Sequence, residues 1–143
     1  MSPDMPLGLL VDDNLLYLKT LQRSLRRRGF ETLLAQRVED ALALAREHRP
    51  QFALVDLKLG EESGLDLIAP LKAIRADMRV LLLTGYASVA TAVEAIKRGA
   101  DHYLMKPVTA DAVAAALRGE AGAAPAPEST MVPLARVEWE YIQ

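Results

Sequence analysis

Leu7-Gly8-Leu9-Leu10-Val11-Asp12-Asp13 decides how the rest of the chain is read: five positions without a polar side chain, then two acids side by side. A strand with one wet face alternates apolar and polar residues, whereas a strand buried on both faces is apolar throughout. Burial on both faces belongs to a parallel sheet, whose strands need crossover helices to connect them. The next residues supply such a helix. Leu15, Leu18, Leu21 and Leu25 recur on one helical stripe, closed by Arg26-Arg27-Arg28-Gly29. Basic residues followed by glycine suit a helix C-terminus, where the dipole is negative and the chain must turn.

The alternation continues to the right. Phe30 to Ala35 reads as a second strand, and Val38, Ala41, Leu42 and Ala45 mark a second helix ended by Pro50. Phe52-Ala53-Leu54-Val55 is a third strand closed by Asp56, and Leu57 to Ser63 is a loop. Gly64 to Arg75 contains a helix that Pro70 should bend or shorten. Arg79 to Thr84 is a fourth strand, and Val89, Ala92, Val93 and Ile96 form the next helical stripe, closed by Lys97-Arg98-Gly99. His102-Tyr103-Leu104-Met105 is a short fifth strand, and Ala110, Val113, Ala114 and Leu117 mark a fifth helix. Five strands alternating with five helices predict an α/β, doubly wound, five-stranded parallel sheet with helices on both faces.

Composition narrows the function. The 143 residues suit one domain and an incomplete second. A net charge of -2 argues against nucleic-acid binding by these residues alone, because neutralising phosphates needs a clustered positive surface. The absence of cysteine excludes a disulfide scaffold, a thiolate nucleophile and a Cys-ligated zinc. Met1-Ser2-Pro3-Asp4 lacks the basic and apolar stretches of a signal peptide, and no apolar run reaches membrane-spanning length. A cytoplasmic protein without membrane contact is expected. Residues 1–118 form the predicted domain. An Ala/Pro-rich linker is expected over 119–131, and 132–143, with Leu134, Val137, Trp139, Tyr141 and Ile142, read as the start of a further, truncated domain. A C-terminal helix packing back on the first domain is the alternative.

In open parallel sheets, ligands gather beyond the carboxyl ends of the strands. Asp12, Asp13, Asp56, Thr84 and Lys106 all fall there. Singly each has an ordinary explanation: a helix cap, a turn residue, a polar strand end, a surface cation. Together they put three carboxylates, a hydroxyl and an ammonium on one edge. Three carboxylates repel one another unless something positive joins them. Lys106 supplies one charge, and all-oxygen ligation favours Mg²⁺ for the rest. Such a set suits phosphoryl chemistry, with Asp56, alone on the middle strand, as the nucleophile and the paired acids holding the cation.

These residues, in this order, resemble the receiver domain of bacterial two-component response regulators, from about Leu7 to Leu117. The resemblance implies a flavodoxin/CheY-like fold with strand order 2-1-3-4-5 and makes Asp56 the phosphoacceptor for a sensor histidine kinase. Asp13, Asp56 and the backbone carbonyl of Lys58 would hold Mg²⁺ directly, with Asp12 acting through water. Lys106 would bind the phosphoryl group, its bond to Pro107 is expected to be cis, and Thr84 with Tyr103 would form the switch. Leu83-Thr84-Gly85-Tyr86-Ala87-Ser88, Ala92-Val93-Glu94-Ala95-Ile96-Lys97 and Arg136 to Gln143 further resemble the redox-responsive RegA/PrrA/ActR-like group. Those regulators carry a Fis-type helix-turn-helix effector after a short linker, so DNA contact would come only from that missing domain. One departure stands out: many receivers carry proline four residues after the phosphoacceptor, and this chain has Gly60-Glu61-Glu62.

Phosphorylation adds about −1.5 to −2 charge and three acceptors, which should draw Thr84 and Lys106 inward and leave a gap for Tyr103. The alternative for Tyr103 is simple packing on its strand. The surface so repacked, formed by the fourth helix, fifth strand and fifth helix, is a candidate homodimer face. Lys58 and Tyr86, each two positions after a key residue, either control water access, with Gly85 beside the second, or are solvated loop residues. Self-phosphorylation and slow self-dephosphorylation are the only reactions expected, so the chain reads as a signalling module rather than an enzyme. A stand-alone receiver is one alternative. A haloacid dehalogenase-type Mg²⁺-dependent phosphatase is another, but Asp56 is followed by Leu57 and Lys58, where that family usually carries a second acid two residues on.

Overall fold

Each of the five stretches read as strands becomes a strand of one parallel sheet. The structure, a computed structural model, describes residues 6–85 and 89–118. In chain order the elements are β1 (Leu7–Val11), α1 (Leu15–Arg27), β2 (Glu31–Ala35), α2 (Val38–His48), β3 (Phe52–Asp56), β4 (Lys58–Leu59), β5 (Glu62–Ser63), α3 (Leu65–Ile74), β6 (Arg79–Thr84), α4 (Val89–Lys97), β7 (His102–Met105) and α5 (Ala110–Leu117). The five-stranded sheet has the order β2-β1-β3-β6-β7, with each neighbouring pair parallel. Leaving aside the two short strands β4 and β5, this is the doubly wound order 2-1-3-4-5.

The continuous apolar runs are explained by what lies on each side. Leu9, Val11, Ala53, Val55, Val80 and Leu82 face Ala41 and Ala45 of α2, Leu67, Ile68 and Leu71 of α3, and Ala95 of α4. The alternate positions Leu10, Phe52, Leu54, Leu81 and Leu83 face Leu18, Leu21 and Leu25 of α1 and Ala110, Val113 and Ala116 of α5. Each fully buried leucine or phenylalanine contributes roughly 1.5–3 kcal/mol relative to exposure, so both faces of the sheet are secured. Central strand β3 is buried along its whole length, which holds its terminal residue, Asp56, in a fixed frame.

Three local expectations are corrected. Pro70 does not interrupt α3: the helix runs unbroken from Leu65 to Ile74. Burial of Leu67, Ile68 and Leu71 outweighs the one backbone bond that proline removes. The segment 57–63 is not a plain loop, because β4 and β5 pair antiparallel across Gly60-Glu61. In α4 the buried residues are Ala92 and Ala95, while Val89, Val93 and Ile96 are 51%, 39% and 47% exposed. Its apolar stripe therefore faces largely away from the sheet. The expected linker and the start of a further domain, 119–143, lie outside the described residues. Among the described residues no helix is long and apolar enough to cross a membrane.

Candidate functional site

The site is built at the points where β1, β3 and β7 run out. Asp12 follows β1, and its backbone N–H continues the ladder onto the Ala35 carbonyl at 3.1 Å. Asp56 is the last residue of β3, in register with Leu83 of β6. Strand alternation places Asp12 and Asp56 on the side of α1 and α5, and both are buried. Asp13, one residue on, is exposed. One carboxylate oxygen from each of Asp12, Asp13 and Asp56 lies within 4.8 Å of the others. Lys106, just past β7, brings its Nζ to 2.9 Å from Asp12 Oδ2 and 3.5 Å from Asp56 Oδ2.

Backbone donors fix the acids further. Asn14 N–H donates to Asp12 Oδ1 at 2.9 Å, and Gly60 N–H donates to Asp13 Oδ2 at 3.0 Å. The Lys58 N–H donates to the Asp56 carboxylate, while the Lys58 side chain is exposed. Burial, and secondarily the charge of Asp12, pushes the Asp56 carboxyl up to about 6, against the opposing pull of Lys106 and the Lys58 N–H. For Lys106, burial alone would lower the pKa, but its bond to Asp12 and the charges of Asp56 and Asp12 hold it above the usual lysine value. The ammonium therefore stays charged, yet one positive charge faces three carboxylates. A cluster of hard oxygen donors with an exposed member open to water fits a divalent cation such as Mg²⁺, which retains several waters.

Two glycines shape the loop over this cluster. Gly60 has φ +64°, a left-handed conformation that proline cannot adopt. A Cβ on Gly64 would lie 2.2 Å from the Asp56 carbonyl oxygen, so the chain returning to α3 passes where only glycine fits. The glycine at position 60, where many receivers carry proline, thus has a backbone cause: the N–H that proline would remove is the one bonded to Asp13.

Thr84 is buried at the end of β6, and its carbonyl accepts the Lys106 N–H at 2.7 Å. The pairing of Leu82 with Tyr103 and of Thr84 with Met105 places Thr84 and half-buried Tyr103 on the same sheet face, that of α2, α3 and α4. Gly85 is exposed, with open space around a Cβ built there. The Lys106–Pro107 bond is cis. Tyr86 lies outside the described residues.

Sequence reasoning missed several contributors. Tyr17 places its ring under the Lys106 ammonium, 4.8 Å from centroid to Nζ. No local pattern announces this contact, because its partner lies near the other end of the domain. Glu62 accepts the Val38 N–H at 3.0 Å and so caps α2, whose own N-cap residue, Arg37, makes no side-chain cap bond. Asn14, and neither of the aspartates before it, caps α1 by accepting the Tyr17 N–H; asparagine just ahead of the Leu15 stripe is the signal that could have found it.

Comparison with known proteins places these features in context. Residues 9–118 match the family described as response regulator receiver domain. The acid tolerance regulatory protein ActR of Sinorhizobium medicae is 42% identical over 142 residues, covering 99% of this chain and 73% of ActR. The photosynthetic apparatus regulatory protein RegA of Cereibacter sphaeroides is 42% identical over 135 residues, covering 94% of this chain and 73% of RegA. A crystal structure of a Burkholderia pseudomallei response regulator, with a phosphorylated aspartic acid, calcium ion and citrate, superposes with a TM-score of 0.79 at 47% identity. That match covers 82% of this chain and 69% of the other.

Proposed function

Because this chain belongs to the response regulator receiver family, we propose that Asp56 accepts a phosphoryl group from a sensor histidine kinase in a Mg²⁺-dependent reaction. The observation that carries the reading is the meeting of three carboxylates and the Lys106 ammonium at the end of the central strand. An Asp56 carboxylate oxygen bonds to phosphorus as the bond from phosphorus to the donor's imidazole nitrogen breaks, its electron pair returning to nitrogen. Asp13, Asp56 and the Lys58 carbonyl would hold Mg²⁺, with Asp12 acting through water, and the bound cation would supply positive charge for the carboxylates and the transferred oxygens. Lys106, already on Asp56, neutralises the phosphoryl oxygens from the other side, and the Thr84 hydroxyl donates a hydrogen bond to one of them.

The added charge then draws Thr84 and Lys106 inward, and Tyr103, on the same face as Thr84, turns into the space released. This repacks the α4, β7 and α5 surface, where exposed Val89, Val93 and Ile96 favour a phosphorylation-dependent homodimer. The kinship with ActR and RegA supports a cytoplasmic regulator of transcription, its DNA contacts made by an effector domain beyond the receiver. Lys58 and Tyr86 set access of water to the acyl phosphate, and so its lifetime, with no other enzymatic activity. A dehalogenase-type phosphatase is disfavoured by Leu57-Lys58 after the nucleophile.

Intact-mass spectrometry after incubation with acetyl phosphate and Mg²⁺ tests the proposal. One added phosphoryl group is expected, absent in Asp56→Asn and absent without metal. Phosphate retained by the variant, or steady turnover of many phosphate esters, would refute it.

A further inference from the structure

Lys106 ends a flexible four-carbon stem, and a free lysine side chain samples many rotamers. Here its ammonium is held from three directions: Asp12 at 2.9 Å, Asp56 at 3.5 Å, and the face of the Tyr17 ring at 4.8 Å. The first two attract it as charges. The third comes from the first turn of α1 and closes a circuit of contacts. Asp12 Oδ1 accepts the Asn14 N–H, Asn14 Oδ1 accepts the Tyr17 N–H at 3.0 Å, the Tyr17 ring carries Lys106 Nζ, and Lys106 returns to Asp12 Oδ2. The Tyr17 hydroxyl also accepts the Val108 N–H at 3.4 Å, so α1 holds the chain on the far side of Pro107 as well. A ring face attracts an ammonium most where water is partly excluded, and the Lys106 side chain is only 26% exposed.

We propose that Tyr17 is a positioning residue for Lys106, its ring aiming the ammonium at the Asp12–Asp56 pair and fixing where phosphoryl oxygens meet positive charge. The ring, rather than the hydroxyl, is the working part. The geometric claim stands on the chain without a phosphoryl group, while its kinetic consequence rests on Asp56 being the phosphoacceptor.

The test uses the full chain with lysine ¹³C-labelled at the ε-carbon, comparing wild type, Tyr17→Phe and Tyr17→Leu, with Lys106→Arg to assign the resonance. In wild type and Tyr17→Phe the Lys106 ε-methylene protons should lie upfield of the other lysines, shifted by the ring current. In Tyr17→Leu they should return to the common position. With acetyl phosphate, Tyr17→Phe should phosphorylate within about twofold of wild type, and Tyr17→Leu should be slowed about 2- to 30-fold with its Mg²⁺ half-saturation unchanged. An unshifted Lys106 resonance in wild type, or a folded Tyr17→Leu phosphorylating at the wild-type rate, would overturn the proposal. Should circular dichroism show Tyr17→Leu unfolded, Tyr17→Phe decides: retention of shift and rate supports the ring's role, and loss of either overturns it. A wild-type chain that takes up no phosphoryl group would refute the phosphoacceptor reading instead, and the resonance positions would then decide the role of Tyr17 alone.

Discussion

Asp56 sits where burial and the charge of Asp12 favour its proton and Lys106 opposes it, with burial the larger influence. Its ordinary value of 3.8 rises to about 6 in the fold. Between those two values the folded chain keeps a proton that the unfolded chain has released. The stabilisation from this group is therefore full below about pH 4 and is lost as pH rises through 6. Above that, the native state carries a buried carboxylate it holds reluctantly. Asp56→Asn should accordingly stabilise the metal-free chain at pH 7.5, by about 1–2 kcal/mol, measurable as a rise in thermal midpoint. A fall in midpoint would mean that the Lys106 ion pair outweighs the burial. Because a metal needs the ionised carboxylate, Mg²⁺ affinity should drop roughly tenfold from pH 7.5 to pH 5. Calorimetric titrations at the two pH values would show this, and equal affinities would contradict it.

At the scale of elements, the hairpin of β4 and β5 ties the acidic cluster to α2: Gly60 holds Asp13, and Glu62 caps the helix. Glu62→Ala should cost about 0.5–2 kcal/mol in urea denaturation while leaving phosphorylation by acetyl phosphate intact. Gly60→Pro should do the reverse of restoring a family pattern, since it demands a negative φ at a position that sits at +64° and deletes the bond to Asp13. Weaker Mg²⁺ binding is expected in a titration of that variant, and unchanged binding would show that the hairpin does not position Asp13. These links were beyond sequence reasoning. The strands were legible because burial on both faces leaves unbroken apolar runs such as Phe52 to Val55, and the site was legible because strand ends collect ligands. The cap from Glu62 and the ring of Tyr17 are contacts between segments far apart in sequence, and no local period records them. The stripe on α4 misled for a related reason: periodicity identifies a helix, but the small residues Ala92 and Ala95 are what approach the sheet, leaving the larger ones outside.

Across the whole molecule, the doubly wound sheet gathers Asp12, Asp13, Asp56, Thr84 and Lys106 at one edge and leaves the apolar face of α4 elsewhere, a layout suited to passing a change at the first to the second. Beryllofluoride with Mg²⁺ should therefore raise the sedimenting mass toward a dimer, and Val93→Glu should prevent the rise without lowering phosphoryl uptake. The same mass at every concentration, with and without beryllofluoride, would count against this surface as the output. All of it depends on which atom takes phosphorus. Borohydride converts an aspartyl phosphate to homoserine, so reduction after acetyl phosphate and Mg²⁺, followed by peptide mass spectrometry, reports the modified residue directly. Homoserine at position 56 alone is the expected result, and homoserine at position 12 or 13, or none despite phosphoryl uptake, would contradict the account.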